Sequence, residues 1–172
     1  MVIDRETNLG VLSEMKERLM EKLVHDEDAM RVLTDNADIT LPAKKEIYKT
    51  IYPWKKKPNT VTENKTFVTF EIEVPRTINC AVNEYMLRVY VMVHDSNMIF
   101  DKSVATRLGL PDRGTRMDVL ADKIDYFLNG CADLGFTEIE LQSAPTFEPS
   151  DGYHGRMLEY RVHGWNRWGE KL

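Results

Sequence analysis

Residues 68–74 read Val-Thr-Phe-Glu-Ile-Glu-Val, and residues 86–93 read Met-Leu-Arg-Val-Tyr-Val-Met-Val. In the first stretch Val68, Phe70, Ile72 and Val74 alternate with Thr69, Glu71 and Glu73. That period of two gives a strand one apolar face and one wet face. Pro75 closes it. In the second stretch Leu87, Val89, Val91 and Val93 make one face, and Met86, Arg88, Tyr90 and Met92 the other. The link from Arg76 to Glu84 is short enough for an antiparallel pair. Tyr90, Met86 and Met92 predict that the second face is covered as well, by a helix or by another subunit.

Working toward the amino terminus, the period changes to that of a helix. Leu12, Met15, Leu19 and Leu23 recur at spacings of three and four among charged side chains, an amphipathic helix over residues 9–24. Asp26 or Asp28 is placed to cap a short following turn through Leu33, ended by Asn36 and Asp38. Pro42 stands where a further helix would start. Ile47, Tyr48, Ile51 and Tyr52 then predict that helix over 43–52, stopped by Pro53. Residues 1–53 therefore read as a helical segment. Trp54-Lys55-Lys56-Lys57-Pro58-Asn59 and the polar residues up to 66 read as an exposed basic loop.

Toward the carboxyl end, residues 94–114 hold no long periodic run, with at most one turn over Ser103–Leu108; a loop of that length is a candidate carrier of contacts. Thr115 offers an N-cap to a helix reaching Leu134, with Met117, Leu120, Ile124, Phe127, Leu128 and Cys131 at helical spacing and Gly135 as terminator. Strands are expected over Phe136–Ser143 and Arg156–Gly164, joined by a turn-rich segment with Pro145, Pro149, Asp151 and Gly152. Residues 165–172 read as an aromatic tail. The expectation is one α+β domain of order α-α-β-β-α-β-β. Its core, residues 67–164, would be a four-stranded antiparallel or mixed sheet packed by an amphipathic helix.

At 172 residues, 42% apolar and 30% charged, the chain has the composition of a globular protein and the length for one domain. No apolar run approaches the roughly 18 residues that span a bilayer, and the amino terminus lacks the basic-then-apolar order of a secretory signal. A protein kept inside the cell that makes it, or carried out in an assembly, is expected. The net charge of -5 argues against coating nucleic acid, which needs a surplus of Lys and Arg. The sign changes along the chain, with +3 over residues 53–66 and -5 over 111–150, and such patches suit protein partners. Cys80 and Cys131 lack any CxxC or Cys/His spacing and read as reduced packing thiols.

Chemistry is sparse. His25, His94, His154 and His163 show no HxH or HExxH spacing, so no metal ligands are assigned. An acid–base site would be sought at His94, Asp95 and His154. Asp118, Asp122 and Asp125 share one helix face, but no second acidic cluster completes a cation site. The string Asp151-Gly152-Tyr153-His154-Gly155-Arg156 lacks a phosphate-loop motif and reads as a turn entering a strand. No catalytic residue, cofactor or enzymatic activity is expected. The candidate interface residues are Trp54, Lys55, Lys56 and Lys57, the acidic trio Asp118, Asp122 and Asp125, and Trp165 and Trp168, because tryptophan outside periodic core positions is a favoured interface anchor.

The order of elements, carried by Val68–Val74, Leu87–Val93, Thr115–Leu134, Phe136–Ser143 and Arg156–Gly164, resembles the tail terminator and tail completion proteins of tailed bacteriophages. The resemblance spans most of residues 60–165 and rests on architecture. It implies a small α/β subunit of a six-membered ring that sits on the last ring of the tail tube, stops its polymerisation and faces the head–tail connector or neck. The partners so implied are copies of the chain itself, the tail tube protein, the connector or neck protein and possibly the tail sheath, with no membrane and no specific nucleic-acid binding. The location implied is the virion, assembled in the bacterial cytoplasm. A ring of identical subunits needs two unlike patches on each, and the basic segment 53–66 meeting the acidic segment 111–150 of a neighbour would supply them.

Overall fold

The strand Val82–His94 runs through the centre of the molecule, with a neighbour on each side along its whole length. The computed structural model describes residues 8–59, 64–99, 102–110, 114–135 and 137–165. Two helices open the described chain, α1 (Asn8–His25) and α2 (Glu27–Thr34). Asp26 caps α2 by accepting from the Ala29 N–H at 2.7 Å, and Asp35 ends it in the left-handed region at φ 55°. A 3-10 turn (Lys44–Glu46) leads to β1 (Ile51–Tyr52), then the long hairpin of β2 (Thr66–Thr77) and β3 (Val82–His94). The short helices α3 (Asp95–Met98) and α4 (Lys102–Leu108) precede α5 (Arg116–Leu128), and β4 (Glu140–Ser143), β5 (Thr146–Ser150) and β6 (Tyr153–Trp165) complete the chain.

The fold is α+β, and its sheet has six strands in the order β1-β2-β3-β6-β4, with β5 on the same edge of β6 as β4. β1 alone is parallel to its neighbour. The alternation in residues 68–74 predicts the apolar face correctly, but the face expected to be wet is buried at Thr69, beside Tyr52 and Tyr90. Val68, Phe70 and Ile72, with Leu87, Val89, Val91 and Val93, are buried beneath α1, α2 and α5 in one cluster with Leu19, Leu23, Met30, Leu120 and Ile124.

Several elements differ from the sequence reading. The helix expected over 43–52 is absent: Tyr48 turns into the left-handed region at φ 62°, and the Thr50 carbonyl accepts from the Val68 N–H at 2.9 Å. Ile51 and Tyr52 are thereby drawn into the sheet beside Val68 and Thr69. Tertiary pairing outweighs a local spacing that both periods can satisfy. α5 stops at Leu128, six residues short of the expected Leu134, because Asn129 caps it and Gly130, at φ 81°, gives its N–H to the Ile139 carbonyl. Gly135 is therefore not the terminator; a Cβ there would stand 2.3 Å from the His163 carbonyl oxygen. The strand expected from Phe136 begins at Glu140, and Phe136 lies outside the described residues. The supposed connection at 145–152 contains β5, and Asp151–Gly152 turn it into β6 as expected. β6 also runs through Trp165, which is strand and not tail.

Within the chain, part of the second face of the sheet is covered by the strap after β1 and by β5, and not by a helix. Phe67, Met92 and Tyr153 are buried there, under Tyr52 and under Phe147 of β5. Gly155 makes this possible, because a Cβ at that position would lie 2.5 Å from the Phe147 ring.

Candidate interaction surfaces

The turn that carries β1 also presents aromatic side chains to solvent. Tyr48 and Trp54 stack with ring centroids 5.7 Å apart, and Tyr52 meets Trp54 edge-on at 5.3 Å. Tyr48 is 60% exposed and Trp54 48%. A non-glycine residue held at φ 62° stores on the order of 1 kcal/mol or more of strain. The lysines that follow divide in role. Lys55 places its Nζ 4.9 Å from the Tyr90 ring centroid. Lys56 lies over both Tyr52 (4.5 Å) and Phe67 (4.3 Å) and donates to the Tyr52 hydroxyl at 3.2 Å. Both strap the second face down through cation–π contacts. Lys57 is exposed. Between this strap and β5 lies a cleft of about 360 Å³, floored by Tyr90 and Met92 and walled by Lys55, Lys57, Phe147 and Glu148.

The acidic trio of α5 divides in the same way. Asp118 accepts from Arg156 of β6 through Nη2 at 2.7 Å and Nε at 3.1 Å, and from the hydroxyl of the N-cap Thr115 at 2.8 Å. Asp125 accepts from the Tyr160 hydroxyl at 3.0 Å. Burial, first, and the Asp125 charge hold that phenol above its ordinary range, so it remains a donor. Asp118 and Asp125 thus dock α5 on β6, and only Asp122 is left exposed on the helix. Among the described residues no group of three His, Cys, Asp or Glu is placed to hold a metal ion. Tyr126, which the sequence reading passed over, is 87% exposed one turn after Asp122. Its signal was present: an aromatic off the Met117–Leu120–Ile124–Leu128 stripe.

The remaining candidates separate. Trp165 ends β6 at 58% exposure beside Val82, at the far end of the sheet from Trp54, and its carbonyl accepts from the Tyr85 hydroxyl at 3.3 Å. Trp168 lies outside the described residues. His94, Asp95 and His154 do come together, as two distinct pairs. His154 Nε2 sits 2.8 Å from Asp95 Oδ1, with both side chains about half exposed. His94 Nδ1 caps α3 by accepting from the Ser96 N–H at 3.2 Å, and it faces the Ser96 hydroxyl at 2.8 Å. The carboxylate therefore orients His154, and the hydroxyl belongs to His94. Of residues 94–114, the described part is largely occupied by α3 and α4.

Among the described residues three buried charges, Arg116, Glu46 and Glu84, escaped the sequence reading, and the first two share a cleft. Arg116, 5% exposed, donates to the Asn97 carbonyl at 2.9 Å and the Val32 carbonyl at 2.9 Å, tying α5 to α3 and to the end of α2. A cation in the first turn of a helix opposes the helix dipole, and that local misfit was the available clue. Glu46, 3% exposed, accepts from Lys49 at 3.2 Å and the Thr50 hydroxyl at 3.0 Å. Both line a polar cleft of about 350 Å³ between the end of α2 and the Lys44–Thr50 turn.

A family model described as YomW matches residues 17–162. The chain belongs to the YomW family. That name is a phage gene product's, of the Bacillus phage SPBc2 type, and the chain is phage-related. No curated protein matches it. The YomW span takes in the 48–57 turn, the cleft beside it and all of α5, and stops three residues short of Trp165.

Proposed function

We propose that this chain is a structural subunit of a tailed phage or phage-like particle, forming a ring that caps the tail tube, stops its polymerisation and joins it to the head or neck. The observation that carries this reading is the exposed Tyr48–Trp54 stack, held outward by a strained turn within a phage-related family span. Aromatic pairs of this kind are interface anchors, and backbone strain persists where a function maintains it. Further support comes from the exposed Tyr126 and Trp165, since a ring subunit needs unlike patches for its two neighbours and others for the tube and neck. On this reading the work is geometric: binding and positioning, with no bond made or broken.

The test is light scattering coupled to size exclusion across a wide concentration range, with negative-stain images, repeated in the presence of purified tail tubes. Closed rings, free or seated on tube ends, are expected, together with tubes that no longer elongate. A chain that stays monomeric alone and ignores tube ends would refute the proposal.

A further inference from the structure

Tyr126 is the most exposed of the large apolar side chains in the described residues, and the fold makes no use of it. The opposite side of α5 is fully engaged: Leu120, Ile124 and Leu128 are buried in the core, and Asp118 and Asp125 hold β6. Asp122 lies at i-4 from Tyr126, so phenol and free carboxylate stand together on the outer face. The cleft beside the strap is its complement, with an apolar floor of Tyr90 and Met92 and the free cation of Lys57 on its rim. Glu148 on the other wall offers an acceptor to a phenol hydroxyl.

We infer that the Tyr126–Asp122 face of α5 docks into the cleft between Lys57 and Phe147 of a second copy of this chain. The occupant is identified by charge, since Lys57 on the rim of the cleft belongs to the one strongly basic segment, 53–66, and Asp122 on the knob to the most acidic one, 111–150. α5 lies against one face of the sheet and the cleft opens on the other. Knob and cleft therefore point in different directions, and the contact repeats head to tail instead of closing a two-fold dimer. This gives chemistry to the ring contact of the proposed function and rests on that reading.

The experiment uses the full chain in two variants. One carries Tyr126→Ser with Asp122→Lys, which removes the knob; the other carries Lys57→Glu, which spoils the cleft. All three positions are exposed, and an unchanged melting temperature verifies folding; Lys57→Ala replaces Lys57→Glu if that control fails. Each variant alone is expected to be monomeric, with self-association weakened about 30-fold or more. Mixed in equal amounts they should give heterodimers that grow no further, because one intact knob and one intact cleft remain. Asp122→Lys with Lys57→Glu in a single chain should recover assembly. Rings of either variant indistinguishable from wild type, or a mixture that yields no heterodimer, overturn the contact and leave the ring standing. A wild-type chain monomeric at every concentration and on tail tubes overturns both.

Discussion

The two faces of β3 are built from the same alternating strand yet hold the molecule together by different means. On one, Leu87, Val89, Val91 and Val93 lie in a continuous cluster under α1, α2 and α5. On the other, Met92 and Phe67 are sealed by a short aromatic cover at one end, and further along Arg88 bonds Glu73 and Glu159 across three strands with no apolar cover. The first face is made by helices that the chain can form from local pattern. The second is made by a strap, Tyr52–Lys57, and an edge strand, Thr146–Ser150, whose place is set only when the sheet exists. The core face therefore carries stability, while the second face shapes a cleft.

The sharpest break in this comparison is a matched pair of truncations. Leu87→Ala should cost about 4 kcal/mol, at the upper part of the range for a fully buried aliphatic, because the face it packs on is held between the sheet and the helices and cannot collapse into the space. Met92→Ala, equally buried, should cost about 2 kcal/mol, because the strap beside it can settle into the gap. Urea denaturation of both decides it, and equal losses would mean the second face is as rigid as the first.

Next in size is Gly155→Ala. The added methyl would meet the Phe147 ring at 2.5 Å, so either ring or strand must move, at about 2 kcal/mol. Phe147→Leu in the same chain should recover much of the loss, whereas Phe147→Leu alone should be mildly destabilising. A double-mutant cycle measures that coupling, and additive losses would show that Gly155 is needed for something other than the ring.

These contrasts also explain what was legible in the sequence. The strands over 68–74 and 86–93, α1 and α5 follow from period alone, because each presents one apolar face to one core, whereas α2 is longer than the capped turn expected there. The 43–52 segment misleads because Ile47 and Ile51 fit a helical face as well as they fit a turn and a two-residue parallel strand; only the partner at Val68 decides. β5 hides behind Pro145 and Pro149, which mark a break in an interior strand but are tolerated at an edge. Among the candidate site residues, Trp54, Lys57, Asp122 and Trp165 are exposed, while Lys55, Lys56, Asp118 and Asp125 are engaged within the chain. Sequence shows that a residue is charged and off the core stripe; it does not show whether a ring or an arginine from a distant strand lies above it.

Two tyrosines offer a finer comparison, one on each face. Tyr160 donates to Asp125 at 3.0 Å on the core side, and Tyr90 donates to Glu71 at 2.9 Å on the other. Burial, first, and then the neighbouring carboxylate push both phenols above the ordinary value of 10.0. A phenol whose folded pKa is raised contributes stability fully below its unfolded pKa and loses it as pH climbs from about 10 toward the folded value. Tyr160→Phe should cost about 1.5 kcal/mol at pH 7, since the carboxylate it leaves docks a helix, and Tyr90→Phe about 0.5–1 kcal/mol. Each should flatten the fall in stability above pH 10. An alkaline stability profile unchanged by Tyr160→Phe would place the controlling ionisation elsewhere.

The smallest effect expected is at the charged ladder, and it bears most directly on why the second face is left uncovered there. Arg88 gives Nε to Glu159 and Nη1 to Glu73, each at 2.7 Å, and the Glu159 bond, ahead of the Glu73 bond, holds its pKa above the ordinary arginine range. The guanidinium is 27% exposed, Glu159 22% and Glu73 54%, so the three are partly wet and screened. Arg88→Met keeps the stem that covers the sheet and removes the charge, which should cost about 0.5 kcal/mol in dilute buffer and less in 1 M salt, where the Debye length falls to about 3 Å. Leu87→Ala should be indifferent to salt over the same range, because nothing in its loss is electrostatic. If Arg88→Met proves as damaging as Leu87→Ala and insensitive to salt, the ladder would be acting as a second core, and the division between a face that stabilises and a face that shapes a binding cleft would fail.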